Sequence, residues 1–476
     1  MKWLTLATLV AAMGTFGILF LSAWTLPTDV NLEFTAYWGL YFALTGVLGG
    51  LMQETTRAVG TARAHARRAA EQGHAHDGAP GDGPTVTARP LTVAAGVAAI
   101  TFVVFAVTGP FWMGWIVHGD TTLAVLLIAA GLASYAMQAV VSGLLSGAGL
   151  WTEYAWLIIL DIVTRVALAV VAWLAGWGLW SFLVITVLGA MSWVIMIAVS
   201  PRTREVLGER ADVPVRRFIP LMLTAMGASG ASAALITGFP TIVKLADDFG
   251  AGPSALPTGG RSVSEAIAAE PGLAAAFITA TAIAYSVNLT RAPLLMPLDK
   301  FQNAIIVRFV HTEGNPLARL AKPLGALVAF GLFGAVLAWL IGPWILQILP
   351  GDYMVTGSGL AALTVGATAT AVLMVTGSVM LATNRHRAYL WGWLTATVVT
   401  CLILFGPGLL LWRTALGLVI GPSLGVALHL WAARSPAPGG APAFTAPQEP
   451  AVEATGRARG PSSRDTYRCG RQKHLR

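Results

Sequence analysis

Charge is what this sequence has least of. Lys, Arg, Asp and Glu together make up 11% of its 476 residues, where soluble domains average about 25%, so the chain cannot cover a water-soluble globule of its own length. Cysteine is nearly absent too. Cys401 falls within an apolar run and Cys469 in a polar tail, which excludes a disulfide framework and a cysteine metal site. No phosphate loop of the GxxxxGK[ST] type, no HExxH and no credible Ser/His/Asp constellation occurs, so no enzyme signature, resident metal or cofactor is expected. Acidic residues are missing from the first apolar run, 4–24.

Long apolar blocks take their place. A membrane-crossing helix needs roughly 20 apolar residues, and inside hydrocarbon the backbone must satisfy its own hydrogen bonds. Barrel strands would alternate over about ten residues; these blocks do not. The sequence predicts spans at 4–24, 35–53, 91–113, 121–147, 154–175, 179–199, 218–241, 273–295, 324–348, 356–382, 388–411 and 414–433. The first run is too long for a cleaved leader, whose apolar core is about 7–15 residues. The expected fold class is all-α: a polytopic membrane protein of about twelve transmembrane helices.

The basic residues orient it. With alternating spans, 25 of the 30 Lys and Arg fall on the side of the termini and only Lys244, Arg261 and Arg413 in opposite loops; Arg165 and Arg291 lie in or at the edge of spans. This asymmetry predicts both termini in the cytoplasm of a bacterial inner membrane. It also accounts for the net charge of +8, so no nucleic-acid partner is expected. The Gly/Pro-rich stretch 60–88, with His65, His74 and His76, is expected to be a mobile linker, with weak metal binding as its alternative. The loop 243–272 is long enough to cap a cavity. The tail 435–476 is expected to be disordered and to meet anionic membrane lipids.

The halves repeat. Ala12-Met13-Gly14 with Gly17 matches Ala225-Met226-Gly227 with Gly230. Thr56-Arg57-Ala58 matches Thr290-Arg291-Ala292, and Gly109-Pro110 matches Gly342-Pro343. Gly176, Trp180 and Gly189 recur as Gly408, Trp412 and Gly421. Six spans per half give both halves the same orientation, a parallel-repeat transporter architecture. The predicted division is an N-terminal six-helix lobe 1–200, a linker 201–217, a C-terminal six-helix lobe 218–434 and the tail. Small residues on the first span of each half would let helices approach closely.

Ionisable residues inside spans are costly and are functional candidates. Asp161 and Arg165 stand four apart on span five and share a face; they form either a polar cavity wall with Arg165 binding an anionic head group, or a mutually neutralised structural pair. Arg57 and Arg291 occupy matching ends of spans two and eight. Their planar donors suit phosphate oxygens, the alternative being topological anchoring. Lys244 is a further cationic candidate, with Asp247 and Asp248 beside it to neutralise it. Gln138 and Asn288 are polar span residues suited to interhelical hydrogen bonds or to substrate.

The two six-span halves, the segment Gly49-Gly50-Leu51-Met52-Gln53-Glu54-Thr55-Thr56-Arg57 and the segment Leu289-Thr290-Arg291-Ala292-Pro293-Leu294 resemble the multidrug/oligosaccharidyl-lipid/polysaccharide (MOP) exporter superfamily, its bacterial polysaccharide flippases above all. The resemblance covers about residues 1–434. It implies two six-helix lobes around a central cavity. It also implies translocation of a polyprenyl-diphosphate-linked glycan, with cavity cations at Arg57, Arg165 and Arg291, and glycosyltransferases or a polymerase of the same pathway as partners. Two rival readings are a multidrug or small-metabolite exporter and a non-transporting scaffold of envelope polysaccharide synthesis. The acid-free first span argues against cation-coupled drug export.

Overall fold

The apolar blocks fold as helices in the computed structural model, which describes residues 2–71, 87–252, 255–291, 294, 295, 298, 316–349, 353–382 and 385–434. Helix α1 is Lys2–Thr25, α2 Thr28–Glu71, α3 Pro90–Thr108, α4 Thr121–Gly147 and α5 Trp151–Leu174. The sixth span is two pieces, α6 Leu179–Leu188 and α7 Ser192–Val199, joined by a 3-10 turn at Gly189–Met191. A short α8, Pro201–Val206, leads to α9, Val215–Ile236, and α10, Phe239–Phe249. The loop that follows carries α11, Val263–Ala269, started by a capping box between Ser262 and Glu265. Then come α12 over 280–291, α13 Pro316–Leu346, α14 Gly357–Ala382, α15 His386–Leu404 and α16 Leu410–Arg434. Among the described residues, eleven helices are long and apolar enough to cross a membrane; α12 lies within the predicted eighth span, 273–295. No strand occurs among the described residues, and a lone bridge pairs Thr87 with Pro214.

The structure moves several predicted boundaries. Span two starts at Thr28 and its helix runs on to Glu71, so 60–71 is helix and not linker. The helix formers Ala, Arg and Glu of that segment outweigh Gly60, Thr61 and His65. His65 is exposed on this extension; His74, His76 and the tail 435–476 lie outside the described residues. No cluster of three metal-ligating side chains exists among the described residues. Span seven ends at Ile236, and Gly238 starts α10 with Pro240 in its first turn, as helix-start chemistry favours. Span eleven stops at Leu404 and span twelve starts at Leu410. Arg413, expected in a loop, is therefore inside a helix and buried.

The halves repeat in three dimensions. Contacts α1–α5, α3–α4, α4–α6 and α5–α6 recur as α9–α15, α13–α14, α14–α16 and α15–α16. Matched glycines do matched work. Gly109 faces Val125 of α4, and Gly342 faces Leu360 of α14. Gly176 and Gly408 both turn the chain between the fifth and sixth spans at φ +64° and +108°, which costs an L-residue strain but not glycine.

The halves meet chiefly where α2 runs against α9 and α10. The seam is built from small residues. A Cβ on Gly50 would collide with the backbone of Ala225 and Met226, one on Gly46 with Ala233, and one on Gly230 would stand 3.6 Å from Val47 Cβ. At the arginine-poor end, Thr241 Oγ1 donates to the Ala36 carbonyl at 2.6 Å and Thr281 Oγ1 to the Thr28 carbonyl at 3.1 Å. Phe20 of α1 meets Tyr285 of α12 edge-on at 6.0 Å.

Candidate functional site

Within this seam the sequence places polar groups that the protein leaves partly unpaired. Asn31 on α2 donates from Nδ2 to Tyr353 Oη at 2.7 Å, and the Tyr353 ring lies 5.3 Å from Tyr285. Asn31 Oδ1, Tyr285 Oη and Ser286 Oγ are buried with no protein hydrogen bond among the described residues. Farther along α12, Arg291 is buried over the face of Phe239, its Cζ 4.5 Å from the ring centroid. Its Nη1 donates to the carbonyls of Leu235 and Ile236 at 3.0 and 3.3 Å. Those carbonyls end α9, where a cation meets the negative end of the helix dipole. Nε and Nη2 of Arg291 have no partner among the described residues. More than about 90% of buried polar groups in native proteins are paired, and an orphan costs roughly 1–3 kcal/mol. Unmet donors and acceptors along one helix at the seam are groups that a polar cargo or water can satisfy.

Arg57, the sequence partner of Arg291, stands in the opposite setting. Its Nη2 bonds Glu54 Oε1 at 2.7 Å and its Nη1 bonds Asp212 Oδ2 at 3.1 Å. The contact ties α2 to the segment before α9. Six residues on, Arg63 bonds Glu209 at 2.7 Å and donates to the Ala148 carbonyl at 3.0 Å. A cavity of about 510 Å³ opens here, lined by Arg63, Glu205, Glu209 and Arg210 around Ala62, Ala66 and Gly208.

The second buried charge site is inside the N-terminal half. Arg165 is 1% exposed and its Nη2 bonds Asp161 Oδ1 at 2.9 Å. Its guanidinium carbon lies 5.9, 6.0 and 5.0 Å from the ring centroids of Trp38, Tyr41 and Phe42. The aromatic side chains share one face of α2 through spacings of three and four. The pair sits against the break in span six, where any Cβ on Gly189 would collide with Arg165 Nε and Asp161 Oδ1.

The other candidates are spread out. Lys244 is buried on α10 and bonds Asp248 at 3.0 Å. Gln138 is buried on α4 and accepts from Ser192 Oγ of α7 at 3.1 Å. Asn288 is half-buried on α12, three residues before Arg291. The structure thus brings Asn288 and Arg291 onto one helix and Asp161 with Arg165 into one pair, while Arg57, Lys244 and Gln138 stand apart from both. Sequence reasoning missed the aromatic wall on α2, the Asn31–Tyr353–Tyr285 cluster and the buried Arg413. That arginine donates from Nη1 to the carbonyls of Leu404 and Gly406 at 2.8 and 3.0 Å. The spacing of Phe34, Tyr37, Trp38, Tyr41 and Phe42 was the available signal for the wall; nothing local announces the rest.

No family profile matches the sequence. Full-length relatives do. The Mycobacterium tuberculosis (strain ATCC 25618 / H37Rv) protein "Uncharacterized protein Rv1510" is 34% identical over 432 residues, 90% of each chain. This chain belongs to the family of that mycobacterial protein. "Uncharacterized protein Mb3654" of Mycobacterium bovis (strain ATCC BAA-935 / AF2122/97) is 33% identical over 425 residues, 89% of each chain. Among solved structures, the fold of this chain is similar to an inward-facing multidrug resistance MATE transporter of the MOP superfamily. The TM-score is 0.61 at 14% identity, covering 90% of this chain and 93% of that one. The outward-facing conformation of such a transporter gives 0.54 at 15% identity, covering 91% and 94%. A MOP superfamily transporter from Pyrococcus furiosus, described by the reverse polarity of its binding pocket, gives 0.55 at 13% identity, covering 91% and 94%. The fold is the MATE-type fold of that superfamily.

Proposed function

We propose that this protein is an alternating-access exporter of an anionic amphiphile, and that the cargo is a polyprenyl-diphosphate-linked oligosaccharide or polysaccharide precursor carried from the inner to the outer leaflet of the bacterial cell membrane. The observation that carries the reading is Arg291: a buried guanidinium on α12 against the end of α9, with no carboxylate against it among the described residues and two donors unmet. A charge in the membrane interior is expensive and is kept where it meets cargo or a counter-charge. A diphosphate accepts from both free donors at once.

The fold supports transport, since solved relatives in shape occur in inward- and outward-facing forms. It does not choose the cargo: one solved relative is described by a binding pocket of reverse polarity. Polarity on this chain points to an anion. Helix α1 contains no acidic residue, and Glu54, Asp161 and Asp248 are each paired with a cation. Membrane orientation follows from the basic residues, which put both termini in the cytoplasm.

Proteoliposomes holding the full-length protein and a fluorescent polyprenyl-diphosphate sugar test this. Protein-dependent movement of the sugar to the other leaflet is the expected result. Movement of a cationic dye but not of the sugar, in the same vesicles, would turn the assignment to drug export. Movement of neither, with a control transporter active, would leave the scaffold reading.

A further inference from the structure

Among the described residues three arginines are buried, and Arg165 differs from the other two. Arg291 and Arg413 each donate to a carbonyl at the C-terminal end of a helix. Arg165 donates to none among the described residues. Its hydrogen bond goes to the Asp161 carboxylate, with the Tyr41 side chain as a further polar neighbour; its Nε is unpaired, and the rings of Trp38, Tyr41 and Phe42 lie against its guanidinium. Rings presenting their faces together with one carboxylate are the recognition set for an organic cation.

The pair is no requirement of the architecture. Gly421, the match of Gly189, packs in the C-terminal half against Ala396 and Thr400 of α15. The same helix–helix joint is thus built there without a charge. In the N-terminal half, glycine at 189 makes the room that the guanidinium and carboxylate fill.

We infer that Trp38, Tyr41, Phe42 and Asp161 form a binding box for a guanidinium-class organic cation, that Arg165 fills this box from within, and that the filled box bars cationic cargo from the N-terminal lobe. Only the consequence for cargo rests on the transport reading; the box itself does not. Arg165 is then a specificity-determining residue that acts by occupation.

Arg165→Ala empties the box, and added methylguanidinium refills it. The full-length protein in detergent is titrated with methylguanidinium chloride, against sodium chloride at equal ionic strength, while its thermal transition and tryptophan emission are read. Arg165→Ala is expected to gain a saturable rise in transition temperature that the wild type lacks, and the added change Asp161→Asn to remove it. If Arg165→Ala is recovered only as aggregate, extraction with methylguanidinium present is expected to return it as a monodisperse species. Arg165→Gln, closer in volume, is expected to give the same saturable response at weaker affinity. The inference is overturned if neither variant responds to or is restored by methylguanidinium, or if the wild type responds equally. Loss of leaflet transfer in the vesicle assay would sink the transport reading while leaving these binding results standing, and the reverse also holds.

Discussion

Arg291 and Arg57 match in sequence and differ in their electrostatic surroundings. Arg57 is bonded to two carboxylates, Glu54 and Asp212; Arg291 has two carbonyls and an aromatic face. Arg291→Gln should therefore slow transfer of the diphosphate-linked cargo roughly tenfold or more, the equivalent of about 1.5–3 kcal/mol for a charge-assisted hydrogen bond, with the protein still monodisperse. Arg57→Gln should act mainly on folding. It strands Glu54, whose side chain is 7% exposed, and should lower stability by about 1–3 kcal/mol while cargo affinity is held. Comparing thermal transitions and transfer rates of the two variants checks both; equal transfer defects would contradict the division. The sequence showed the symmetry of these two arginines but not their difference, because Asp212 and Phe239 reach them only through tertiary folding. Asp161 and Arg165 were legible as a pair from their spacing alone. Gly189 was legible only as one member of a repeat, and its reason is steric. Gly189→Ala should cost about 1–3 kcal/mol by overpacking, measured as a lowered unfolding transition; a neutral substitution would mean that the ion pair has slack that the geometry does not indicate.

At the scale of elements, the seam between α2 and α9 is where side-chain size matters most. Gly49 and Gly50 are neighbours with opposite surroundings. A Cβ at Gly50 would strike the backbone of Ala225 and Met226, whereas one at Gly49 meets nothing within 4 Å. Gly50→Ala should lower stability by about 1–3 kcal/mol. Gly49→Ala should be neutral or add up to about 1 kcal/mol through helix propensity. Thermal scans of the two purified variants decide it, and equal losses would contradict the seam. Helix existence was readable from the apolar blocks because only internally bonded backbone survives in lipid. Helix ends were harder. The apolar pattern does not show that α2 continues past its apolar stretch to Glu71, nor that Gly189–Met191 interrupts span six. The first rests on the helix formers of 60–71, with Arg57 and Arg63 bonded to Asp212 and Glu209, and the second on the space that a buried ion pair fills.

On the scale of the whole molecule, two similar halves share a seam that small residues keep close and that α12 lines with unpaired polar atoms. The repeat was legible because matched glycines recur at nearly constant offset, and the structure gives Gly109 with Gly342, and Gly176 with Gly408, the same tasks. The site was only half legible, since a seam joins residues far apart in the chain, as Asn31 and Tyr353 are. Movement of one half against the other is the central claim, and a reversible clamp tests it most directly. Val47→Cys with Gly230→Cys, in a protein with Cys401 and Cys469 replaced by Ala, places the new cysteines where a Cβ built at residue 230 lies 3.6 Å from that of Val47, within disulfide reach. Oxidised protein should lose transfer of the diphosphate-linked sugar in vesicles and regain it on reduction; oxidised, fully cross-linked protein that transfers at the reduced rate would contradict the account.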